Sequence, residues 1–196
     1  MARPTIITEE QVLEAAREIY VRDGINASTI EIAKKAGISE GSIFKRFPTK
    51  DALFLAATKT PPVPKWAVEL ETLVGKGDSK ENLIHIVSEM LQFGMQVMPL
   101  VMLTWGTRMA QLETDAPKEE TPAQRDFRLL RTYIEAEITD KRIRSNNPYV
   151  LTKLIFAITT DYVIGAMSNQ QSPSIEEMKS HAKSAVEMIW GGIAPN

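Results

Sequence analysis

The chain has 196 residues, of which 43% are hydrophobic, 24% are charged and none is cysteine. This apolar content suffices for a packed core and excludes an intrinsically disordered chain. The absence of cysteine excludes disulfides, cysteine-bound zinc, iron–sulfur clusters and a thiol nucleophile. The formal net charge of −2 excludes a uniformly basic protein that coats nucleic acid.

The sequence predicts a cytoplasmic protein with no membrane partner. Its first residues, MARPTIITEEQ, contain no apolar segment of signal-peptide length. The longest apolar stretch lies near Val97–Leu103, is interrupted by Pro99, and is shorter than a membrane-spanning helix.

Apolar residues recur with helical spacing throughout, so the predicted fold class is all-α with about nine helices. Thr8 and Gln11 form a predicted capping box for a first helix that ends at Gly24. Ser28 and Glu31 form a second predicted capping box, for a short helix that ends at Gly37. Further predicted helices cover about 40–47, 50–59, 66–74, 80–98, 124–141 and 148–168, with a polar loop over 114–122. Ser174 and Glu177 form a capping box for the last predicted helix, which ends at Gly191-Gly192. Pro99 either kinks the helix over 80–98 or begins another helix that reaches about residue 112.

The proline-rich stretch over residues 60–64 is the best candidate for a domain boundary. We therefore expect an N-terminal domain over 1–60, which includes the start of a connecting helix, and a second domain over 61–196.

Residues 28–51 have the layout of a helix-turn-helix, in which the second helix enters the major groove of DNA. Gly37 permits a sharp turn between two short helices, Ala33 permits their close crossing, and Ile38 and Ile43 fill the crossing. Within 34–50 five basic residues face the single acid Glu40, which gives a local net charge of +4. The predicted DNA-binding residues are Thr29, Lys34, Ser39, Glu40, Gly41, Ser42, Phe44, Lys45, Arg46, Thr49 and Lys50.

Residues 8–57 resemble the DNA-binding region of the tetracycline-repressor (TetR) family. The matching positions are Thr29, Ile32-Ala33, Ala36-Gly37-Ile38-Ser39, Gly41, Phe44, Phe47, Thr49-Lys50 and Leu53. Two positions depart from the family pattern. Phe44 replaces the usual tyrosine and so lacks the hydroxyl that bonds a phosphate, whereas Arg46 replaces a frequent histidine and adds a fixed charge.

The resemblance implies a helical ligand-binding and dimerisation domain, whose last two helices form a four-helix bundle with the partner. Residues 148–168 agree with this, because they are apolar almost all round. Ala157, Gly165 and Ala166 are small enough for close packing there. A second apolar stripe is formed by Met178, Ala182, Ala185 and Ile189. The alternative interpretation is an ordinary buried helix pair.

A methionine-rich helical face is the predicted site of a small apolar ligand, since flexible thioethers adapt to varied apolar shapes. The predicted ligand-binding residues are Leu91, Gln92, Met95, Met98, Met102, Trp105 and Met109. They share a face only if the helix continues past Pro99, and plain core packing is the alternative interpretation.

The sequence shows no motif for catalysis, a cofactor or a metal site. The pairs Glu81–His85 and Glu177–His181 have the spacing of ordinary pairs on a helix surface.

Together, the helix-turn-helix, the apolar C-terminal helices and the methionine-rich face predict a homodimeric transcription regulator. We expect a repressor that binds a palindromic operator and is released by a small apolar ligand. Two alternatives stay open: a helical-bundle carrier or enzyme, and a DNA-binding regulator that needs no ligand.

Overall fold

A computed structural model describes residues 7–58, 63–105, 120–144 and 147–195, without the side chains of Thr104 and Trp105. Over these ranges the chain forms nine α-helices, one short 3-10 turn and no strand, which confirms the all-α prediction. The helices are α1 (Glu9–Asp23), α2 (Thr29–Ala36), α3 (Glu40–Arg46), α4 (Lys50–Thr58), α5 (Lys65–Leu73), α6 (Ser79–Trp105), α7 (Pro122–Thr139), α8 (Pro148–Ser168) and α9 (Ile175–Ile193).

The helix ends follow from local capping chemistry, with one exception. The Thr8–Gln11 box forms, with Gln11 N–H donating to Thr8 Oγ1 at 3.2 Å, and α1 ends at Gly24, whose φ is 68°. The predicted Ser28–Glu31 box is wrong, because the Ser28 side chain makes no capping bond. The Glu31 carboxylate pairs instead with Arg22 at 2.9 Å, since the last turn of α1 brings that guanidinium within reach.

The C-terminal half departs from the predicted bounds at two helices. The helix α6 continues through Pro99 to Trp105, so the proline neither ends it nor begins another helix. The last helix, α9, was predicted to end at Gly191-Gly192 and extends to Ile193. Most of the predicted loop at 114–122 and most of the stretch 60–64 lie outside the described residues.

Backbone contacts group the chain into two units. The first comprises 1–60 and 99–117, and the second comprises 61–98 and 118–196. The grouping of 99–117 with the N-terminal residues was not predicted from the sequence. The division of roles, with DNA binding in 1–60 and ligand binding and dimerisation in 61–196, stays a prediction.

The first unit has its own apolar core, built mainly from one face of α1 and from α2, α3 and α4. Val12, Ala16, Leu53 and Ala57 are fully buried in it. The Tyr20 ring packs edge-on against Phe54, with 4.9 Å between the ring centroids. Burial, and to a lesser extent the Asp51 carboxylate, raises the pKa of Tyr20 to about 12, so the phenol stays neutral at physiological pH.

The second unit has a larger core, in which α6 and α8 approach closely at a glycine. Leu83, Ile86, Leu91 and other residues of α6 are buried there with residues of α5, α7, α8 and α9. A Cβ atom at Gly94 would lie only 2.9 Å from Cγ2 of the buried Val163. Glycine is therefore required at position 94 for the two helices to pack at this distance.

A buried carboxylate joins the end of α7 to the turn between α5 and α6. The Glu137 side chain is fully buried and accepts hydrogen bonds from Gly75 N–H at 2.7 Å, Ser79 Oγ at 2.6 Å and Arg142 Nε at 3.0 Å. Arg142 also donates to the carbonyl oxygens of Lys76 and Gly77, at 3.0 and 2.8 Å. This network, which we call the Glu137 network, fixes the turn at residues 74–78.

The last two helices are neighbours in the second unit and expose apolar side chains. Tyr162 of α8 stacks on His181 of α9, with 4.3 Å between the ring centroids. Leu154 of α8 is 47% exposed and Met188 of α9 is 85% exposed. Of the small residues singled out in α8, Ala166 is buried and Ala157 is exposed. The predicted apolar stripe on α9 is buried to different extents: Met178 and Ala182 are buried, whereas Ala185 and Ile189 are half-buried.

Two helices are long and apolar enough to cross a membrane by length and composition alone, namely α6 over residues 79–103 and α8. Neither was predicted as such a helix from the sequence, where the longest apolar stretch is that around Val97–Leu103. The buried helix of a soluble core has the same composition, and both helices contribute to the core of the second unit.

Candidate nucleic-acid interface

The helix-turn-helix predicted over 28–51 is present as α2, a turn and α3. Gly37 has the left-handed conformation, with φ 71°, and the Ile38 N–H donates to the Ala33 carbonyl at 3.0 Å. Ile43 and Ala33 are buried at the crossing of the two helices, as predicted, and Ile38 packs against the same core at partial exposure. The turn is thus fixed by backbone geometry and apolar packing, which leaves the outer side of α3 free for contacts.

The first turn of α3 presents an open surface. Ser39 Oγ accepts from the Ser42 N–H at 3.3 Å and lies 2.8 Å from Ser42 Oγ, so the two hydroxyls form the cap of the helix. A Cβ atom at Gly41 would meet only Ser39 Oγ, at 4.0 Å. Gly41 is therefore not required by internal packing, and its exposed backbone is available for close approach by another molecule.

Three of the predicted cations have no ion-pair partner within the described part of the chain: Lys34, Lys45 and Lys50. Lys35, which also contributes to the local charge of +4, is paired with Glu18 at 2.6 Å. The cationic surface is therefore formed by Lys34 on α2, Lys45 on α3 and Lys50 at the start of α4, and we call these three residues the lysine face.

Arg46 has a contact that the sequence analysis did not predict. Its guanidinium donates to the Ile7 carbonyl at 2.8 Å, across 39 positions of sequence. The side chain is exposed, so its charge still contributes to the potential around α3. The contact also attaches the residues before α1 to the end of α3, and no sequence pattern marks a bond between a side chain and such a distant carbonyl.

The structure places two further predicted residues at the edge of the same region. The Phe44 ring is 39% exposed on α3, so it can stack on a ligand although it lacks the tyrosine hydroxyl. Thr49 Oγ1 accepts from the Ala52 N–H at 3.0 Å and so caps α4, beside Lys50 in the first turn of that helix.

A hydrogen bond between Thr29 and Glu40 links α2 to α3. Thr29 Oγ1 donates to Glu40 Oε1 at 2.5 Å, and both side chains are half-buried. Both residues were predicted to bind DNA, but their contact was not predicted, because they lie eleven positions apart on either side of a turn whose geometry the sequence does not specify.

The predicted ligand-binding residues are not brought together as one described cluster. Leu91 is fully buried, Met95 and Met98 are half-buried against the core of the second unit, and Met102 is 37% exposed. The half-buried Gln92 donates to the Ser88 carbonyl at 3.3 Å. Met109 and the side chain of Trp105 lie outside the described residues.

A groove of about 410 Å³ lies between α6 and α9 and is lined by none of these residues. Its lining includes Glu81, His85, Glu89, Lys179 and Lys183, so it is polar and carries charges of both signs.

The two histidines do not pair with the glutamates four residues before them, so the predicted surface pairs are wrong. His85 Nε2 lies 2.8 Å from Glu69 Oε2, a contact between α6 and α5. His181 stacks on Tyr162, and Glu177 instead bonds Ser174 in the capping box of α9. Over the described ranges no three His, Asp or Glu side chains are grouped so as to hold a metal ion.

Comparison with known proteins adds to this geometry. Residues 12–57 match the family model of bacterial regulatory proteins, tetR family. The match covers the helix-turn-helix together with the two helices that hold it. Residues 12–57 are thus a region of the tetR-family type.

Known proteins are similar to this chain over different lengths. A curated relative, the uncharacterized HTH-type transcriptional regulator YvkB of Bacillus subtilis, is 33% identical over 86 residues, which span 43% of this chain and 44% of the relative. A TetR-family transcriptional regulator from Mesorhizobium loti has a similar fold, with a TM-score of 0.74, 20% identity, and coverage of 94% of this chain and 96% of the other. The regulator FadR of Bacillus subtilis, solved in complex with stearoyl-CoA, has a TM-score of 0.63 at 20% identity, with 94% and 99% covered.

Proposed function

We propose that this TetR-family protein is a cytoplasmic transcription regulator that binds duplex DNA through α2 and α3. The observation that carries the proposal is the lysine face on the helix-turn-helix of a chain whose net charge is negative. Lysines without an acidic partner bind DNA phosphates and release counterions, which makes the affinity depend on salt. The open first turn of α3, with Gly41 at its surface, suits close contact with base edges in the major groove.

The test is DNA binding by the double variant Lys45→Ala/Lys50→Ala. Each lost phosphate contact should flatten the plot of log affinity against log salt by about one unit, so we expect a slope shallower by about two. Affinity should fall to a similar extent for unrelated duplex sequences, because phosphate contacts carry no sequence information. Fluorescence anisotropy with labelled duplexes at several salt concentrations measures both quantities.

The matched control is Lys179→Ala/Lys183→Ala, which removes the same charge from exposed positions on α9. Its salt slope should equal that of the wild type. If the two double variants weaken DNA binding equally, or if neither does, the DNA-binding surface is not the lysine face.

We further propose that the protein acts as a homodimer on a palindromic operator. The exposed apolar side chains of α8 and α9 support this proposal, because a second copy of the chain would remove them from water. A two-fold dimer presents two recognition helices to half-sites about one helical turn, ~34–36 Å, apart, and this spacing accounts for a palindrome. The regulatory role that we propose is repression.

The proposed signal for release is a small apolar ligand bound against α6. Met95 and Met98 lie half-buried against the core of the second unit, where thioethers are able to rearrange around a guest. The FadR neighbour was solved with stearoyl-CoA, so a long acyl chain is a reasonable first probe.

Stearoyl-CoA and stearic acid should raise the melting temperature of the wild type and weaken its binding to DNA by about 5- to 150-fold. The substitution Met98→Trp places a larger side chain beside the core and should reduce both responses while the affinity for DNA without ligand stays the same. Differential scanning fluorimetry and anisotropy measure the two effects. A melting temperature that responds equally in the wild type and in Met98→Trp would place the acyl chain elsewhere.

A further inference from the structure

Glu40 is the one acidic side chain among the predicted DNA-binding residues. It occupies the first position of α3, whereas the neighbouring lysines of the lysine face attract phosphate. Over the described ranges no cation lies within ion-pair distance of its carboxylate. An acid at this position interacts favourably with the helix dipole but repels the DNA backbone, so it does not contribute to general affinity for DNA.

The carboxylate of Glu40 is held in place by one hydrogen bond. Thr29 Oγ1 donates to Glu40 Oε1, while the structure describes no hydrogen bond to Oε2. The two residues that follow present nothing comparable, because Gly41 has no side chain and the Ser42 hydroxyl lies 2.8 Å from Ser39 Oγ. Glu40 is therefore the one long polar side chain in the first turn of α3, the part of a recognition helix that contacts base edges.

The chemistry of the major groove limits what such a carboxylate recognises. Guanine presents two acceptors there and thymine one, so both repel a carboxylate. Adenine presents a donor beside an acceptor, whereas cytosine presents the N4 amino group as a donor alone. We infer that Glu40 Oε2 accepts a hydrogen bond from cytosine N4, and that Thr29 is the positioning residue for this contact. This inference rests on the proposed function, since it requires α3 to lie in the major groove.

The test is selection from a duplex library randomised over the length of two half-sites, followed by sequencing of the bound fraction. Wild-type protein should select cytosine at one position of each half-site. Glu40→Ala should lose about tenfold discrimination at that position and keep the preferences elsewhere, as expected for loss of one base contact. Glu40→Gln should shift the preference there toward adenine, since glutamine pairs with the N6 and N7 atoms of adenine.

Two variants of Thr29 test whether its hydroxyl positions the Glu40 carboxylate or only stabilises the fold. Thr29→Val removes the hydroxyl at nearly constant shape and should weaken the preference for cytosine at the same position, whereas Thr29→Ser should retain it. Glu31→Gln is the matched control, because it removes one negative charge from an exposed residue of α2 and should leave every preference unchanged.

If all variants bind the library with the wild-type preference, the inference is overturned and the proposed function stands. A wild-type chain that enriches no sequence and binds no duplex overturns both. Loss of preference at every position in Glu40→Ala would also overturn the inference, because it indicates a disrupted helix rather than one missing contact.

Discussion

Replacement of Glu137 by alanine should lower the free energy of unfolding by about 3–5 kcal/mol, because it removes a fully buried carboxylate and leaves the half-buried Arg142 guanidinium without its counter-charge. The fully buried carboxylate accepts three hydrogen bonds, from Gly75 N–H, Ser79 Oγ and Arg142 Nε. The Ser79 hydroxyl belongs to a buried residue, so it loses its acceptor where water does not readily replace it. Since a protein of this size has a total stability of about 5–15 kcal/mol, the loss is a large fraction of it. Denaturant unfolding followed by circular dichroism measures the change.

The matched control is Glu135→Ala on the same helix. Glu135 is exposed and pairs with Arg131 at 3.2 Å, four positions earlier, so its removal should cost no more than about 0.5 kcal/mol. Glu137→Gln keeps the size of the side chain and one acceptor oxygen. Its free energy of unfolding should lie between those of the two alanine variants. Equal stability of the two alanine variants would mean that the Glu137 network does not hold the turn at residues 74–78.

A carboxylate on the exposed apolar side of α8 or α9 should convert the proposed dimer to a monomer. We expect Leu154→Glu and Met188→Glu to raise the dimer dissociation constant by at least about a hundredfold, since a two-fold interface repeats each buried, unpaired charge on both subunits. Operator affinity should fall in parallel, because a monomer contacts a single half-site. Sedimentation equilibrium and DNA titration of the same samples measure both effects.

The control for these variants is Val68→Glu, which changes an exposed apolar residue on α5 of the same unit. It should leave both the dimer and DNA binding intact, and thereby show that an added surface charge is harmless in itself. If both Leu154→Glu and Met188→Glu remain dimeric, the dimer interface lies on another surface of the protein.

The parts of the fold that depend on local chemistry could be predicted from the sequence. Thr8, Gly37 and Ser39 act through bonds or backbone angles within a few residues, and each does what its residue type and spacing predict. Ser28 fails as a side-chain cap although its spacing is equally good, since Arg22 on the previous helix takes its intended partner, Glu31. A capping pattern in the sequence therefore predicts a side-chain cap only when no other side chain lies close enough to bind one of the two capping residues.

The contacts that join distant segments could not be predicted in the same way. The Arg46–Ile7 bond, the Thr29–Glu40 bond and the His85–Glu69 contact each depend on how helices are placed relative to one another. The sequence identifies the polar side chains that take part in these contacts, but it leaves their partners unspecified. For the candidate site, the residues of α3 were predictable as a set, whereas the distinct position of Glu40 within that set required the fold.

The close approach of Gly94 and Val163 has a consequence for how such a chain evolves. The two side chains compete for the same space. A substitution of Gly94 by alanine therefore requires a smaller residue at 163 or a larger distance between the helices. One of these helices carries the proposed ligand residues and the other carries an exposed face of the proposed dimer. If both proposals hold, this contact links the ligand site to the dimer interface, so a change in one selects for a compensating change in the other.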